Sequence, residues 1–445
     1  MILHSRCNMI KNVRRICVRI SSIRGYSTAS KTDSQKLELE FLGQKYPRDH
    51  YTNITAKIAR YLGRNLHTVP NHPLSHVRQR ITDYFYKAFP NRLGNPVFSI
   101  HDNLRPIVTV EQNFDSLLVP KDHPSRSKSD CYYINSNTLL RAHTTAHQSE
   151  LISMGLNNFI VIGDVYRRDD VNATHYPVFH QADAVRLQTQ DELFQGVENS
   201  VDLKIFEHRG SEDTNKQGCH TLEATKIMEH ELKTVLTGLV QALFGKDIKY
   251  RWVEEFFPFT HPSWELEIKK NEQWIEILGC GIMRQEILQR SGAGDRIGWA
   301  FGIGLERIAM SLYNIPDIRL FWSTDSGFLH QFQVGDHNTP IVYKPVSIYP
   351  QCTNDLSFWI PKGENFSPND FFDIAREVGG DVIEQILLVD EFTNPKTQQT
   401  SHCYRIIYRH MERNLTKFEV NNLHGRIGRT VSINKPCLLT MRFFT

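Results

Sequence analysis

The chain has 445 residues, a length that predicts two or three domains. Hydrophobic residues make up 40% and charged residues 23%, which excludes a wholly disordered, collagenous or coiled-coil protein. No stretch approaches the roughly 18 uninterrupted apolar residues of a membrane-spanning helix, so we expect no membrane partner. The formal charge is only +3, but it is unevenly distributed.

The N-terminal segment 1–32 is basic and contains no acidic residue; the first carboxylate is Asp33. An Arg- and Ser-bearing, acid-free segment with interleaved Ile and Val is typical of a mitochondrial transit peptide. A secretory signal would need an apolar core, which is missing. We therefore predict a transit peptide over 1–32 and a location in the mitochondrial matrix, with a disordered basic tail as the alternative. Its removal would change the formal charge from +3 to −4, so nucleic-acid binding would depend on local patches.

Hairpins and two long helices dominate the region 33–329, which we predict to be one domain. The expected elements are, in chain order, a helix over 75–89, a hairpin of 158–166 with 177–187, a helix over 220–244, strands at 250–257, 264–269, 274–283 and 298–303, and a helix over 304–313. Strands and helices do not alternate regularly, so this order indicates an α+β fold built on an antiparallel sheet.

A linker is expected at 330–344, followed by a second domain over 345–445. Its pattern is a strand at 346–360, a helix at 369–378, strands at 383–392 and 403–409, a helix through Val420 and Val431, and a strand at 438–444. This βαββαβ order predicts a ferredoxin-like sandwich. Gly425 and Gly428 are expected to interrupt the last helix, at a cost of about 1 kcal/mol each.

The charge of this second domain changes along its length. Residues 345–391 hold two basic and nine acidic residues, whereas eight basic and two acidic residues follow from residue 400 onward. The basic part is the best nucleic-acid surface in the sequence. On charge alone, a solvated face is an equally good interpretation.

Several common site types are excluded. The eight cysteines are scattered without a C-x-x-C pair, which argues against a zinc ribbon and a disulfide framework and favours reduced thiols. The segment 302–307 begins like a dinucleotide-binding loop but ends in Arg307, with no parallel-strand unit after it. No phosphate-binding P-loop string is present either. The glycines of 302–307 instead allow a flat strand-to-helix turn, on which Arg307 would stack a base or pair with a phosphate.

A second pattern crosses the predicted hairpin. One strand ends in Arg167, and the returning strand carries Phe179, Gln181 and Asp183. An arginine on a sheet holds a phosphate or carboxylate through two hydrogen bonds, and a ring offers a stacking surface for a base. Gln181 and Asp183 point to the same side of a strand and suit an ammonium group. Alone, Arg167 fits a surface ion pair and Phe179 a core position; beside 302–307, nucleotide binding is favoured.

Ordered strings along the chain carry a further signal. In the first domain they are Phe114-Asp115, His123-Pro124, Arg141 to Gln148, Gly163 to Asp169, Phe179-His180-Gln181, Phe256 to Ser263, Glu276 to Gly281 and Gly298 to Arg307. In the second domain they are Tyr349-Pro350, Asp355 to Trp359 and Tyr404-Arg405-Ile406. Together these strings resemble the class II aminoacyl-tRNA synthetases, and specifically the phenylalanine enzymes of the mitochondrial, single-chain type. The resemblance covers about residues 35–445.

The resemblance implies a monomer that attaches L-phenylalanine to mitochondrial tRNA(Phe) through an adenylate, with ATP as a substrate and Mg²⁺ as the metal. The implied catalytic residues are Arg167 on the α-phosphate and reacting carboxylate, Arg307 on adenine or the terminal phosphate, and Glu276 as the carboxylate for Mg²⁺. The second domain would bind the anticodon. The residues assigned to substrate binding are Thr145, Ala146, His147, Gln148, Arg167, Thr174, His175, Tyr176, Phe179, Gln181, Ala182, Asp183, Phe257, Phe259, Glu276, Ala300 and Phe301.

Within that set, the resemblance assigns separate tasks. Phe179 would stack adenine, and the loop 174–176 would close on ATP. Phe257 and Phe259 would meet the ring of the amino acid, and Ala300 would close the pocket at its para position. Residues 145–148 with Gln181 and Asp183 would line the amino-acid pocket and fix the amine.

Two positions depart from the family's pattern. His261 follows Phe-Pro-Phe-Thr where bacterial members carry a carboxylate, which argues against a protein metal ligand there. Asp183 replaces the more usual Glu, so a longer or water-mediated ammonium contact is expected. No editing domain is visible.

Two alternatives stay open. A catalytically inactive, synthetase-like RNA-binding paralogue would not need the set of Arg167, Phe179, Glu276 and Arg307, all of which are present. A different adenylating ligase would need neither the second domain nor both pocket phenylalanines. The strings of class I synthetases are absent from the sequence.

Overall fold

A computed structural model describes residues 38–197, 202–323, 326–345, 349–360, 366–395, 397–410, 412–434 and 442–444. The predicted transit peptide at 1–32 lies outside these residues. Within them, no helix is both long and apolar enough to cross a lipid bilayer. The cysteines at 131, 219, 280, 352 and 403 are free thiols.

The helices and strands can be given in chain order. The helices are α1 (Ala56–Ala59), α2 (Pro73–Ala88), α3 (Val110–Asn113), α4 (Gln148–Ser153), α5 (Gln190–Leu193), α6 (Leu222–Phe244), α7 (Gln285–Arg290), α8 (Leu305–Tyr313), α9 (Ser326–His330), α10 (Pro368–Gly379) and α11 (Lys417–Asn434). The strands are β1 (Glu38–Phe41), β2 (Gln44–Pro47), β3 (Ser99–His101), β4 (Ile107–Thr109), β5 (Tyr133–Asn135), β6 (Thr138–Leu140), β7 (Asn158–Tyr166), β8 (Val178–Gln188), β9 (Tyr250–Phe257), β10 (Thr260–Lys270), β11 (Gln273–Met283), β12 (Ile297–Gly304), β13 (Cys352–Trp359), β14 (Ile383–Thr393), β15 (Thr400–Tyr408) and β16 (Arg442–Phe444).

A seven-stranded sheet carries the first part of the molecule, in the order β3-β7-β8-β12-β11-β10-β9. Its neighbouring strands are antiparallel, except that β3 runs parallel to β7. The predicted hairpin is confirmed as β7 and β8, and the later predicted strands are confirmed as β9 to β12. The apolar faces of α2, α6 and α8 share one core with this sheet. The fold is therefore α+β, as predicted.

The predicted helices are present, with different ends. The helix expected over 75–89 begins at Pro73, because the side chain of His72 accepts a hydrogen bond from the backbone N–H of Leu74. The helical period of this segment predicts Ala88 on the apolar face, but the residue is exposed. It lies in the terminal turn, where the helical period predicts the direction of a side chain but not whether another element covers it.

The second domain is the predicted βαββαβ sandwich, with the antiparallel sheet order β14-β15-β13-β16. Its core includes residues of α10 and α11. The expected interruption of the last helix is wrong, since α11 is continuous through Gly425 and Gly428. Val420, Ile427 and Val431 are buried along it, and this packing offsets the low helix propensity of glycine. The last predicted strand is described only over β16.

The two domains meet at the loop that joins β7 to β8 (residues 167–177, called here the β7–β8 loop). Arg168 of this loop donates hydrogen bonds to Asp370 at 2.8 Å and Asp373 at 2.6 Å, both on α10. Val171 packs in the apolar core of the second domain, and its carbonyl accepts a hydrogen bond from the backbone N–H of Ile386 at 3.0 Å. The loop is therefore held by the second domain as well as by the sheet.

Candidate active site

A cavity of about 450 Å³ lies against the central strands of the seven-stranded sheet. Strands β8, β11 and β12 contribute to its lining, together with the segment 142–148 and the turn between β9 and β10. The predicted site residues that line it are Thr145, Gln148, Arg167, Gln181, Asp183, Phe257, Phe259, Glu276, Ala300 and Phe301. Sequence positions more than 110 residues apart thus meet in one site, because the sheet places β8 (Gln181 and Asp183) beside β12 (Ala300 to Gly302).

Other predicted residues do not line this cavity. Ala146, His147 and Ala182 are buried behind its lining. Tyr176 is buried against Tyr61 and donates a hydrogen bond to Asp381 of the second domain at 2.6 Å. Thr174 and His175 are bound to the side chain of Asn172 within the β7–β8 loop. Phe179 and Arg307 lie at the edge of the cavity. Phe179 contacts the lining residue Arg167, and Arg307 contacts the lining residue Glu276.

The guanidinium group of Arg167 is positioned by two contacts. Its Nε donates a hydrogen bond to the carbonyl of Ala142 at 2.7 Å, and its central carbon lies 5.2 Å from the ring centroid of Phe179. Burial lowers its pKa, an effect partly offset by acidic groups that include Asp183 and Glu276. An arginine stays charged under such conditions, so the cavity contains a fixed cation beside an aromatic face.

Strand β8 contributes a buried pair of hydrogen-bond acceptors to the same cavity. One carboxylate oxygen of Asp183 accepts a hydrogen bond from the hydroxyl of Thr145. The other oxygen of Asp183 and the amide oxygen of Gln181 are buried without a partner among the described residues. Burial raises the pKa of Asp183 to about 6. A Cβ on Gly302 would lie 2.8 Å from Asp183 Oδ1, so glycine is required to make room for this pair. Unpaired buried acceptors are costly, and a cationic donor would satisfy them.

The remaining wall is apolar. The rings of Phe257 and Phe259 are nearly parallel, with centroids 5.9 Å apart and planes 10° apart. Phe257 rests on Gly279 of β11, where a Cβ would come within 2.8 Å of its ring. Ala300 lines the cavity from β12. The cavity therefore combines a pair of buried acceptors, an arginine and an aromatic slot.

Carboxylates gather on the strands next to Arg307. Glu276 accepts a hydrogen bond from Arg307 at 2.9 Å. Burial, together with the charges of Glu276, Glu255 and Glu267, raises the pKa of Glu265 to about 6. No group of three or more metal-binding side chains occurs within the part of the chain that the structure describes. His261 is bound to the carbonyl of Asp213 at 2.6 Å. Glu265 carried no signal in the sequence, because only the sheet places it among other carboxylates.

A buried ion pair supports the segment 142–148, and sequence reasoning missed it. Arg141, 1% exposed, donates hydrogen bonds to the carboxylate of Asp164 at 2.6 Å and to His147 at 3.0 Å. Tyr166 donates to the other oxygen of Asp164. Burial and the charge of Arg141 lower the pKa of His147 to about 3, so this ring is neutral. The available signal was Asp164, a charged residue within the strand-like run 158–166, since a buried carboxylate needs a partner.

Comparison with known proteins assigns both domains. The family model "tRNA synthetases class II core domain (F)" matches residues 53–198 and 220–332, and "Ferredoxin-fold anticodon binding domain" matches residues 347–434. The chain is 59% identical to a Drosophila melanogaster protein named "Probable phenylalanine--tRNA ligase, mitochondrial", over 90% of this chain and 92% of that one. It is 54% identical to a Mus musculus protein named "Phenylalanine--tRNA ligase, mitochondrial", over 87% and 86%. A Saccharomyces cerevisiae protein of the same name is 38% identical, over 87% and 92%.

Proposed function

The chain belongs to the mitochondrial phenylalanine–tRNA ligases, a family of class II aminoacyl-tRNA synthetases, and from this premise we propose how its own residues carry out the reaction. The enzyme charges tRNA with phenylalanine for mitochondrial translation and uses ATP as a substrate. The reaction takes two steps: the carboxylate of phenylalanine attacks the α-phosphorus of ATP, and a ribose hydroxyl of tRNA then attacks the acyl carbon. Neither step needs a protein nucleophile, so positioning and charge neutralisation are the protein's task.

The amino acid is held at both ends. Its ammonium group binds between Asp183 Oδ1 and Gln181 Oε1, the two buried oxygens that have no described partner. Its ring enters the slot formed by Phe257 and Phe259, with Ala300 at the far end. This pairing of unsatisfied acceptors with an aromatic slot in one cavity is the observation that carries the proposal. It fits an α-amino acid with an aromatic side chain.

The arginines act on ATP and on the reacting carboxylate. Arg167 faces the cavity between Asp183 and Phe179, so it contacts the carboxylate of phenylalanine and the α-phosphate together and stabilises the charge that develops there. Phe179 and Arg307 hold the adenine or terminal phosphate at the edge of the cavity. The anchored β7–β8 loop forms the adjacent wall.

The residues fit a magnesium site that is shared with the nucleotide. Mg²⁺ is usually bound by one or two carboxylates together with substrate phosphates. Glu276 and Glu265 offer two carboxylates, and the raised pKa of Glu265 reflects a local excess of negative charge. These two residues would hold Mg²⁺, which supplies neutralisation of the phosphate charge when it is bound. His261 takes no part, since its ring is bound to Asp213.

The same proposal covers the organisation of the chain. We infer a transit peptide over 1–32, a catalytic domain over 33–329, a linker over 330–344 and an anticodon-binding domain over 345–445. The extents of the two matching family models support the domain division. The enzyme would act in the matrix as a monomer, with tRNA(Phe) as its RNA substrate.

Amino-acid-dependent exchange between ATP and pyrophosphate, run with each of the twenty amino acids, tests the proposal. We expect exchange with phenylalanine alone, followed by charging of tRNA(Phe). Exchange with a different amino acid would contradict the assigned pocket. Intact tRNA binding without exchange for any amino acid would favour the inactive paralogue.

A further inference from the structure

One face of α11 points away from the core of the second domain. Phe418, Arg426 and Arg429 are exposed along it, and Phe418 has 76% of its surface accessible. Lys417 is exposed beside Phe418, at the N-terminal end of the helix. Phe418 and Arg429 are three helical turns apart, about 16 Å along the axis, and therefore lie on nearly the same line. The buried face of the helix is formed by other residues, so packing of this domain does not account for the exposed ring.

The cations of this face differ from the other arginines in the basic part of the domain. Arg405, Arg409 and Arg413 each pair with a carboxylate, at 2.9, 3.0 and 3.0 Å. Lys417, Arg426 and Arg429 have no ion-pair partner within the described residues. Among the basic residues described between 400 and 434, the positive charge without an ion-pair partner thus lies on α11.

An exposed aromatic ring between unpaired cations matches one class of partner. Unpaired bases stack on aromatic side chains, while Lys and Arg bind the phosphates between them. The complementary charge of tRNA, the substrate of this enzyme, makes RNA the occupant that fits. We propose that the outer face of α11 (Phe418, Arg426 and Arg429), with Lys417 at its N-terminal end, binds the tRNA, with Phe418 stacked on an unpaired base. This inference rests on the proposed function.

The salt dependence of tRNA binding distinguishes the arginines of this surface from its aromatic ring. Removing a phosphate contact weakens binding at low salt and reduces its salt dependence, whereas removing a stacking ring weakens binding without changing the salt slope. Stacking is tolerant of the base, so another aromatic ring at position 418 should replace phenylalanine. A general loss of structure would produce neither pattern.

The test uses the full chain and compares tRNA charging with pyrophosphate exchange, which needs no tRNA. For Arg426→Gln with Arg429→Gln, we expect unchanged exchange, a higher KM for tRNA and a slope of log KM against log salt reduced by about 1.4–1.8. For Phe418→Ala we expect KM for tRNA to rise about tenfold with the slope unchanged, and Phe418→Trp should restore it. Lys246→Gln, an exposed cation that follows α6, is the matched control and should behave as wild type.

Wild-type KM and salt slope in the double variant, with normal charging by the unmodified enzyme, would overturn the inference and leave the proposed function intact. A monomer–dimer equilibrium that is lost in Phe418→Ala, with tRNA affinity unchanged, would overturn it in favour of a second copy of the chain as the occupant. Failure of the unmodified enzyme to charge any tRNA would instead contradict the proposed function.

Discussion

The carboxylate of Glu306 binds His180 at two points. One oxygen accepts a hydrogen bond from the backbone N–H of His180 at 2.8 Å, and the other lies 2.7 Å from its Nδ1. Both side chains are buried. Because Phe179 precedes His180 and Arg307 follows Glu306, this pair fixes the relative position of the two residues assigned to the nucleotide.

Glu306→Ala should therefore weaken ATP binding, although Glu306 itself is not assigned a contact with ATP. The loss of two buried hydrogen bonds should raise KM for ATP about tenfold, while KM for phenylalanine changes little. Pyrophosphate exchange at varied ATP and varied phenylalanine measures both constants. Glu306→Gln keeps one acceptor oxygen and should be milder. An equal rise in both constants would indicate general damage to the site instead.

Arg167→Ala should abolish adenylate formation. Removal of a preorganised contact to developing charge costs about 100- to 1,000-fold in rate. Arg167→Lys keeps the charge but loses the forked geometry, so its rate should be intermediate. The measurement is pyrophosphate exchange, with circular dichroism as the control for folding. Near-normal exchange in Arg167→Ala would remove this residue from the mechanism.

Activity should fall in acid because of Asp183. Its pKa is raised to about 6, so the carboxylate is charged above that pH and increasingly protonated below it. Only the charged form neutralises the ammonium group, so kcat/KM for phenylalanine should be flat from about pH 7 to 8 and fall about tenfold per unit below pH 6. Asp183→Asn should lower activity throughout and remove this acidic limb. An identical limb in the variant would assign it to another group.

Ala300→Gly should widen the end of the aromatic slot. The space of one methyl group is worth about tenfold or more in discrimination, so activation of para-chlorophenylalanine relative to phenylalanine should rise by that factor. Tyrosine should gain less, because its buried hydroxyl would still lack a partner at a cost of about 1–3 kcal/mol. Exchange assays with the three amino acids provide the ratios. Unchanged ratios would place the wall of the pocket elsewhere.

Arg168→Ala should release the β7–β8 loop. Breaking a buried pair typically costs about 3–5 kcal/mol. Asp373 would keep only the more distant Arg376, at 3.8 Å, as a charge partner. We expect a lower melting temperature and a raised KM for ATP. Arg405→Ala, which removes an exposed pair with Asp355, is the matched control and should change neither quantity appreciably. A lower melting temperature with normal KM for ATP would mean that the anchor does not serve the nucleotide site.

Without the resemblance, sequence reasoning predicted only those cavity-lining residues that a local pattern identifies. Alternation along a strand placed Gln181 and Asp183 on one side, and the hairpin brought them towards Arg167. The resemblance supplied the aromatic slot and Ala300, which no local pattern would have joined to that hairpin.

What escaped prediction depends on long-range packing. Arg167 and Arg168 look alike in the sequence, but the first lines the cavity and the second pairs with α10, about 200 residues further along the chain. The partnership of Arg141 with Asp164 and the double contact of Glu306 have the same origin. Burial of a charged group is set by elements that the local sequence does not identify.

The contact of Phe257 with Gly279 means that the width of the aromatic slot depends on the lack of a Cβ atom at position 279. A methyl group at position 279 would need the space that the ring of Phe257 now occupies. The ring of Phe257 would be displaced, although none of the side chains proposed to contact the amino acid had been substituted. In the proposed pocket, selectivity for the amino acid would thus depend partly on a position that has no side chain, and a comparison of pocket-lining side chains between relatives would overlook it.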